Sequence, residues 1–129
     1  MSATAANLVA EAKSHVQNLT PEQVAREAAN GATVIDLREP AELGYEGMID
    51  GAVHAPRGML EFWADPTSPY HRQEFDPARR TILYCASGGR SALAARTLDG
   101  LGYTDVAHLD GGLKAWKAGG QPTVQPTGD

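Results

Sequence analysis

The residues best suited to chemistry lie in one short segment, in which the only cysteine is followed within six positions by an arginine and a serine. Cys85 comes directly after the apolar run 81–84, which predicts a buried strand, and before residues 91–98, whose strong helix formers predict a helix. Gly88 and Gly89 lie between them and tolerate the backbone angles that turn successive N–H groups inward. The segment therefore predicts a strand, an anion-binding turn and a helix, with the thiol at the start of the turn.

This arrangement favours a sulfur nucleophile. Unpaired N–H groups and the dipole at a helix N-terminus favour negative charge, and with it the thiolate form of a cysteine. Arg90 offers a permanent charge and a bidentate donor face for a substrate oxyanion, and Ser91 is expected to cap the helix and to donate to the bound group. Cys85 is the predicted catalytic residue. The predicted substrate-binding residues are Ala86, Ser87, Gly88, Gly89, Arg90 and Ser91.

An isolated cysteine at a strand end is more often a small buried apolar residue than a nucleophile. Cys85 taken alone would favour that interpretation. The succession of strand, cysteine, small residues, paired glycines, Arg90 and Ser91 is hard to explain by packing, so we favour the functional interpretation.

The rest of the chain predicts the elements that position this turn. Thr20 is a predicted N-cap, with Pro21 at N1 and Gln23 completing a capping box, for a helix that ends at residues 30–31. Strands are expected at 32–38, 52–55 and 105–109, and short helices at 59–63 and from 112 to the glycines at 119–120. Alternating strands and helices indicate an α/β fold with a mostly parallel sheet.

The chain has 129 residues, which suits one domain. We assign residues 1–19 to an N-terminal helical extension, residues 20–122 to the domain, and residues 123–129 to a polar C-terminal tail.

Composition excludes several classes of partner and site. With 11 basic and 16 acidic residues the net charge is −5, which argues against nucleic acid and anionic membrane surfaces as partners. A lone cysteine makes no internal disulfide, and the four histidines show no metal-ligand spacing, so we expect no metal and no cofactor. With neither a secretory signal nor an apolar run of membrane-spanning length, the expected location is cytoplasmic.

Four motifs together resemble the single-domain rhodanese-like sulfurtransferases: residues 34–39, 47–56, 85–91 and 106–116. The resemblance extends over 20–122 and implies a three-layer α/β fold, with a mostly parallel central sheet and helices on both faces. It further implies that the cysteine takes sulfane sulfur from thiosulfate or a persulfide, holds it as a persulfide, and passes it to cyanide or a thiol. The implied partners are a small-molecule or protein sulfur donor and a thiol acceptor.

Two features of the loop refine this resemblance. Four residues separate Cys85 from Arg90, as in the sulfurtransferases, whereas the related phosphatases and arsenate reductases have a loop one residue longer. Phosphatase or arsenate reductase chemistry is therefore the second hypothesis, and a non-catalytic binding module, disfavoured by the presence of both Cys85 and Arg90, is the third. Ala86 stands where thiosulfate-using members often have a basic residue, so thiosulfate is expected to be a surrogate donor.

The charged residues at the C-terminal end of the first predicted strand give weaker indications of function. Asp36, near the C-terminal end of that strand, is expected to orient the loop or a basic residue, or else to accept from backbone N–H groups in a turn. Arg38 and Glu39 are expected to form a surface ion pair or to fix the following turn.

The resemblance also suggests that the segment beginning at Arg57 borders the mouth of the active site. Arg57 and Glu61 are thus predicted at the rim of the cleft, where Arg57 would supply the charge that the loop lacks, and His71 is a further candidate. His54 and His108 fall within predicted strands and are expected to bond to backbone groups.

Overall fold

A computed structural model describes residues 3–126 of the chain, and the predictions for residues 1–2 and 127–129 lie outside this range. Within it, five strands form one parallel sheet in the order β1-β5-β4-β2-β3. The strands are β1 Gln17–Leu19, β2 Thr33–Asp36, β3 Val53–His54, β4 Thr81–Tyr84 and β5 Val106–Leu109. The helices are α1 Ala5–His15, α2 Pro21–Ala29, α3 Pro40–Glu46, α4 Leu60–Ala64, α5 Gly89–Gly100 and α6 Gly112–Ala118, with a 3-10 turn at Arg57–Met59 before α4.

Side chains alternate across the sheet and form a separate apolar core on each face. Ile35 and Leu83 pack on one face with residues of α4 and α5. The preceding residues of the same strands, Val34 and Ile82, point to the other face and pack with residues of α2 and α6. The fold is therefore the predicted three-layer α/β arrangement with helices on both faces.

Local signals fixed several element boundaries. The Thr20 hydroxyl accepts from the Gln23 N–H at 3.2 Å, and the Gln23 side chain accepts from the Thr20 N–H at 2.8 Å, which closes the predicted capping box of α2. The predicted strand before Cys85 and the helix after it are present as β4 and α5.

Two elements near the site were not predicted. The edge strand β1 comes from the segment assigned to an N-terminal extension, so residues 17–19 are part of the sheet. The helix α3 lies between the strands predicted at 32–38 and 52–55, where no element was assigned. Neighbouring residues nevertheless define where this helix begins. Pro40 occupies N1, and the Glu42 side chain accepts from the Glu39 N–H at 2.9 Å.

The described part of the predicted polar tail is attached to the domain. Val124 exchanges two backbone hydrogen bonds with Met48, at 2.8 and 2.9 Å, in an antiparallel bridge. The Trp116 indole, buried in the core beneath α6, donates to the Pro122 carbonyl at 2.8 Å. Residues 123–126 therefore do not form a free tail, because the two hydrogen bonds of Val124 attach this segment to Met48. Among residues 3–126 no helix is long and apolar enough to cross a membrane.

Candidate active site

The Cys85 sulfur lies at the C-terminal end of the central strand β4, inside the turn that leads into α5. Its side chain is buried, with 1% of the residue exposed, and its Sγ accepts a hydrogen bond from the Gly88 N–H at 3.1 Å. Gly88 is the N-cap residue of α5 and has a φ of 105°, a conformation that favours glycine. The turn therefore directs a backbone donor at the sulfur, as the paired glycines predicted.

The N-terminal end of α6 holds the outer side of this loop through backbone bonds. The Cys85 carbonyl accepts from the Leu113 N–H at 2.9 Å, and the Ala86 carbonyl accepts from the Lys114 N–H at 3.1 Å. Gly112, at a φ of 62°, permits this close approach, because a Cβ there would lie 2.5 Å from the Cys85 carbonyl oxygen. The path of the loop is thus fixed by main-chain contacts with α6.

Arg90 does not present an open bidentate face to the site. Its two terminal nitrogens donate to the two carboxylate oxygens of Glu42, on α3, at 2.8 and 2.9 Å. These bonds lower the pKa of Glu42 to about 2, against the opposing effect of its partial burial, and they raise the pKa of Arg90. Sequence reasoning missed Glu42, which is 48 residues from Arg90 along the chain, so an anionic ligand of this arginine must compete with an internal carboxylate.

Ser91 has a different role from the predicted helix cap. The N-cap is Gly88, whereas the Ser91 Oγ lies 3.3 Å from the Gly88 carbonyl oxygen, 2.8 Å from His108 Nδ1 and 3.7 Å from Cys85 Sγ. His108 is fully buried on β5 and bonds to side chains at both ring nitrogens, not to the backbone as predicted. Burial lowers the pKa of His108 to about 4.

Asp36 organises a buried polar cluster beneath α3 and does not contact the cysteine loop among the described residues. It accepts from the Arg38 side chain at 3.0 and 2.7 Å, from the Arg38 N–H at 3.0 Å, and from the Tyr84 hydroxyl at 2.6 Å. The predicted surface ion pair between Arg38 and Glu39 is wrong, since Arg38 is 1% exposed and is neutralised by Asp36. Both predicted roles of Asp36, in orienting a basic residue and in a turn, are present together.

The charges of this cluster are balanced internally. Burial alone would lower the pKa of Arg38, but the hydrogen bonds and the charge of Asp36 outweigh it and raise that pKa. Burial, together with the charge of Asp36, raises the pKa of Tyr84, so the phenol stays protonated and donates. The Tyr84 oxygen also accepts from the Ile49 N–H at 3.0 Å and thereby ties the loop after α3 to the end of β4.

The predicted rim residues contact other parts of the chain. Arg57 donates to Glu61 at 2.8 Å and to Thr97, in the third turn of α5, at 3.1 Å. His71 contacts the Phe75 carbonyl oxygen at 3.0 Å through its Nε2. A position at the rim stays a prediction for Arg57, Glu61 and His71, without a contact to the cysteine loop among the described residues.

A pocket of about 690 Å³ lies between α3 and α6 and reaches the cysteine loop. Its lining residues are Arg38, Ala41, Glu42, Tyr45, Glu46, Ala86, Ser87, Leu113, Lys114 and Lys117. Glu46 and Lys117 pair across it at 2.9 Å. The loop residues Ala86 and Ser87 form its inner wall, so a molecule in this pocket lies next to the turn that holds Cys85.

Known proteins resemble this chain in sequence and in structure. A family model described as Rhodanese-like domain matches residues 20–119. A sulfurtransferase of Allochromatium vinosum is 36% identical over 95 residues, which are 74% of this chain and 80% of that protein.

Two solved structures are similar over most of the chain. The first is a protein of unknown function from Rhodopseudomonas palustris, described as a possible tyrosine phosphatase, with 37% identity, a TM-score of 0.88, and coverage of 95% of this chain and 96% of that one. The second is the polysulfide-sulfur transferase homodimer of Wolinella succinogenes, with 28% identity, a TM-score of 0.75, and coverage of 93% and 86% respectively.

Proposed function

Because the chain belongs to the rhodanese-like domain family, we propose that it is a sulfurtransferase that works through Cys85. The observation that carries this proposal is the Gly88 N–H, 3.1 Å from the buried Cys85 sulfur at the start of α5. A donor so placed stabilises negative charge on Sγ, and with it the thiolate form of Cys85. The relatives named for sulfur transfer support the same chemistry.

The proposed reaction has two steps. In the first, the Cys85 thiolate attacks the outer sulfur of the donor, an S–S bond forms to Sγ, and the remainder of the donor leaves with the electron pair of the broken bond. With thiosulfate the leaving group is sulfite, and with an organic persulfide it is a thiolate. In the second, cyanide or a thiol attacks the outer sulfur of the persulfide, and Cys85 leaves as the thiolate. The loop residues 86–91 would bind the donor and the acceptor during both steps.

The pairing of Arg90 with Glu42 supports a preference among donors. Thiosulfate is a small dianion, and the guanidinium that would bind it already holds a carboxylate through two hydrogen bonds. Ala86 adds no charge of its own. The pocket of about 690 Å³ beside the loop has apolar wall residues on both helices and is far larger than thiosulfate. We therefore place organic persulfides and thiols ahead of thiosulfate as physiological substrates, from a small molecule or a protein, in the reducing cytoplasm.

Mass measurement of the intact protein tests the proposal directly. After incubation with thiosulfate or with an organic persulfide, we expect one added sulfur atom on the wild type and none on Cys85→Ser, which keeps the size of the side chain but removes the nucleophile. The added sulfur should leave on addition of cyanide or a thiol. An unchanged wild-type mass with both kinds of donor, or equal labelling of the two proteins, would overturn it.

Phosphatase chemistry remains the second candidate because the Rhodopseudomonas palustris structure carries that description. Two observations disfavour it: only four residues separate Cys85 from Arg90, and Glu42 occupies the guanidinium that a phosphate would need. Hydrolysis of an aryl phosphate by the wild type, lost in Cys85→Ser, would reverse this order.

A further inference from the structure

A line of hydrogen-bonded side chains runs from the Cys85 sulfur to the surface of the protein. It passes from Cys85 Sγ to Ser91 Oγ over 3.7 Å, from Ser91 Oγ to His108 Nδ1 over 2.8 Å, and from His108 Nε2 to Asn18 Oδ1 over 2.6 Å. Ser91 and His108 are fully buried, whereas Asn18 lies at the exposed edge strand β1. The two-step reaction proposed above uses neither His108 nor Asn18, and it gives Ser91 no part in proton transfer.

The Asn18 amide fixes the direction of every hydrogen in this line. Its Nδ2 donates to the Lys13 carbonyl at 2.9 Å and to the Val16 carbonyl at 3.1 Å, so its Oδ1 is the atom that faces His108. An acceptor there requires that His108 Nε2 carry the hydrogen. The reverse orientation of the amide would set its oxygen against two carbonyl oxygens.

Neutral imidazole has a single N–H, so His108 Nδ1 is an acceptor. Two acceptors face the Ser91 hydroxyl, and His108 Nδ1 at 2.8 Å is closer than the Gly88 carbonyl oxygen at 3.3 Å, so the hydroxyl donates to the imidazole. A serine hydroxyl has only one hydrogen to give. Its oxygen therefore faces Cys85 with a lone pair, ready to accept the hydrogen of the thiol at 3.7 Å. The hydrogen bonds of the line therefore all point the same way: the thiol donates to Ser91, and Ser91 donates to the imidazole.

Charged groups around His108 come from two neighbouring elements. Lys13, on α1, and Asp110, in the loop after β5, form an ion pair at 3.2 Å, and their opposite charges act on the ring in opposite directions. Burial, the largest influence, keeps the ring neutral above about pH 4. At neutral pH the ring is thus an unprotonated acceptor within two hydrogen bonds of the sulfur.

We infer that Ser91, His108 and Asn18 form a proton relay for Cys85, in which Ser91 contacts the reacting sulfur and His108 and Asn18 are positioning residues. The inference rests on the sulfurtransferase function proposed above. Before Cys85 attacks a donor, the thiol proton moves to the Ser91 oxygen while the Ser91 proton moves to His108 Nδ1, and this transfer produces the thiolate that carries out the first step. The imidazolium then donates to Ser91 and to Asn18, and Ser91 donates to the thiolate.

Every hydrogen bond of the line is kept in both protonation states. Before the transfer the donors are the thiol, the Ser91 hydroxyl and His108 Nε2, and after it they are the Ser91 hydroxyl and both ring nitrogens. No buried polar atom loses its partner on either side of the transfer, which avoids the penalty for an unpaired buried group. Since burial keeps the ring neutral above about pH 4, the imidazolium passes its proton to solvent at the exposed Asn18 end of the line, and the thiolate released when the persulfide is discharged takes a proton back from solvent.

The pH dependence of persulfide formation tests this relay. We expect Ser91→Ala to slow the addition of sulfur to Cys85 on the order of tenfold to a hundredfold at about pH 6, and by much less at about pH 9, where solvent base removes the proton without help. Asn18→Ala removes the acceptor of Nε2 and with it a hydrogen bond to the imidazolium, so its rate should fall by about fivefold at the acidic end and by much less at about pH 9. Asn30→Ala makes the same change at the C-terminal end of α2 and is the matched control.

The possible results distinguish a proton relay from a purely structural role of Ser91 and Asn18, and they test the sulfurtransferase proposal separately. Equal slowing of Ser91→Ala at every pH, or a pH profile of Asn18→Ala identical to that of Asn30→Ala, would overturn the relay while leaving sulfur transfer intact. If no sulfur is added to the wild-type protein by any donor, the sulfurtransferase proposal fails first. Asn18 lies on the surface, so its variant keeps the test valid even if Ser91→Ala folds poorly.

Discussion

Replacement of His108 by asparagine should change how the stability of the protein depends on pH. His108 is fully buried, and burial lowers its pKa from an ordinary value near 6.5 to about 4 in the folded state. As pH falls, the unfolded chain therefore binds a proton at this residue before the folded protein does. The stabilising contribution is complete above about pH 6.5 and is lost as pH falls towards 4.

The size of the effect follows from the two pKa values. Between about pH 7.5 and pH 5 the linkage relation gives a loss of about 2 kcal/mol in the free energy of unfolding from His108 alone. The His108→Asn protein keeps an acceptor for the Ser91 hydroxyl but has no titrating ring, so this part of the loss should vanish. The other histidines are present in both proteins and cancel in the comparison.

Urea unfolding of both proteins at the two pH values measures this difference. The variant is expected to be less stable at pH 7.5, since it alters a packed site, and only the change between the two pH values bears on the prediction. If the wild type loses no more stability than His108→Asn on acidification, the ring is not held neutral in the folded protein. That result would also remove the acceptor on which the relay depends.

Three further substitutions test other contacts at the site. Glu42→Gln frees the guanidinium that the carboxylate binds and should lower the KM for thiosulfate by about fivefold, a change worth about 1 kcal/mol. The control Glu22→Gln, on α2 and outside the pocket lining, should leave the KM unaltered. An increase in KM with Glu42→Gln would mean that the carboxylate positions the donor site. Gly112→Ala sets a Cβ against the cysteine loop and should reduce the free energy of unfolding by about 2 kcal/mol or more, measured by urea unfolding. Tyr84→Phe leaves the buried Ile49 N–H without its acceptor and should cost about 1–3 kcal/mol in the same measurement, so a stability equal to that of the wild type would contradict the role given to the phenol.

The parts of the site that sequence patterns predicted are contiguous in the chain. The apolar run of β4, the paired glycines and the helix formers of α5 are local signals, and together they predicted where Cys85 would lie. The capping box at Thr20 was predictable for the same reason, since its partners are three residues apart. Local backbone preference and short-range hydrogen bonding determine these features.

The parts that were missed depend on contacts between distant segments. Asn18 and His108 are 90 residues apart, and they meet only because β1 pairs with β5 in the sheet. Glu42 meets Arg90 because α3, a helix that was not predicted, returns over the loop. Arg38 was expected at the surface because burial of an unpaired arginine is unfavourable. In the structure its charge is neutralised by the buried Asp36, and no local sequence pattern indicated this ion pair.

The backbone bonds between α6 and the cysteine loop divide this loop into a fixed part and a replaceable part. Leu113 and Lys114 hold the carbonyls of Cys85 and Ala86 through their N–H groups, and these bonds do not depend on the loop side chains. The side chains of residues 86 and 87 line the pocket instead. Substitutions at these two positions can therefore change the size and charge offered to a substrate while the nucleophile stays in register. The donor range can therefore be redesigned through libraries at positions 86 and 87, without altering the backbone bonds that hold Cys85.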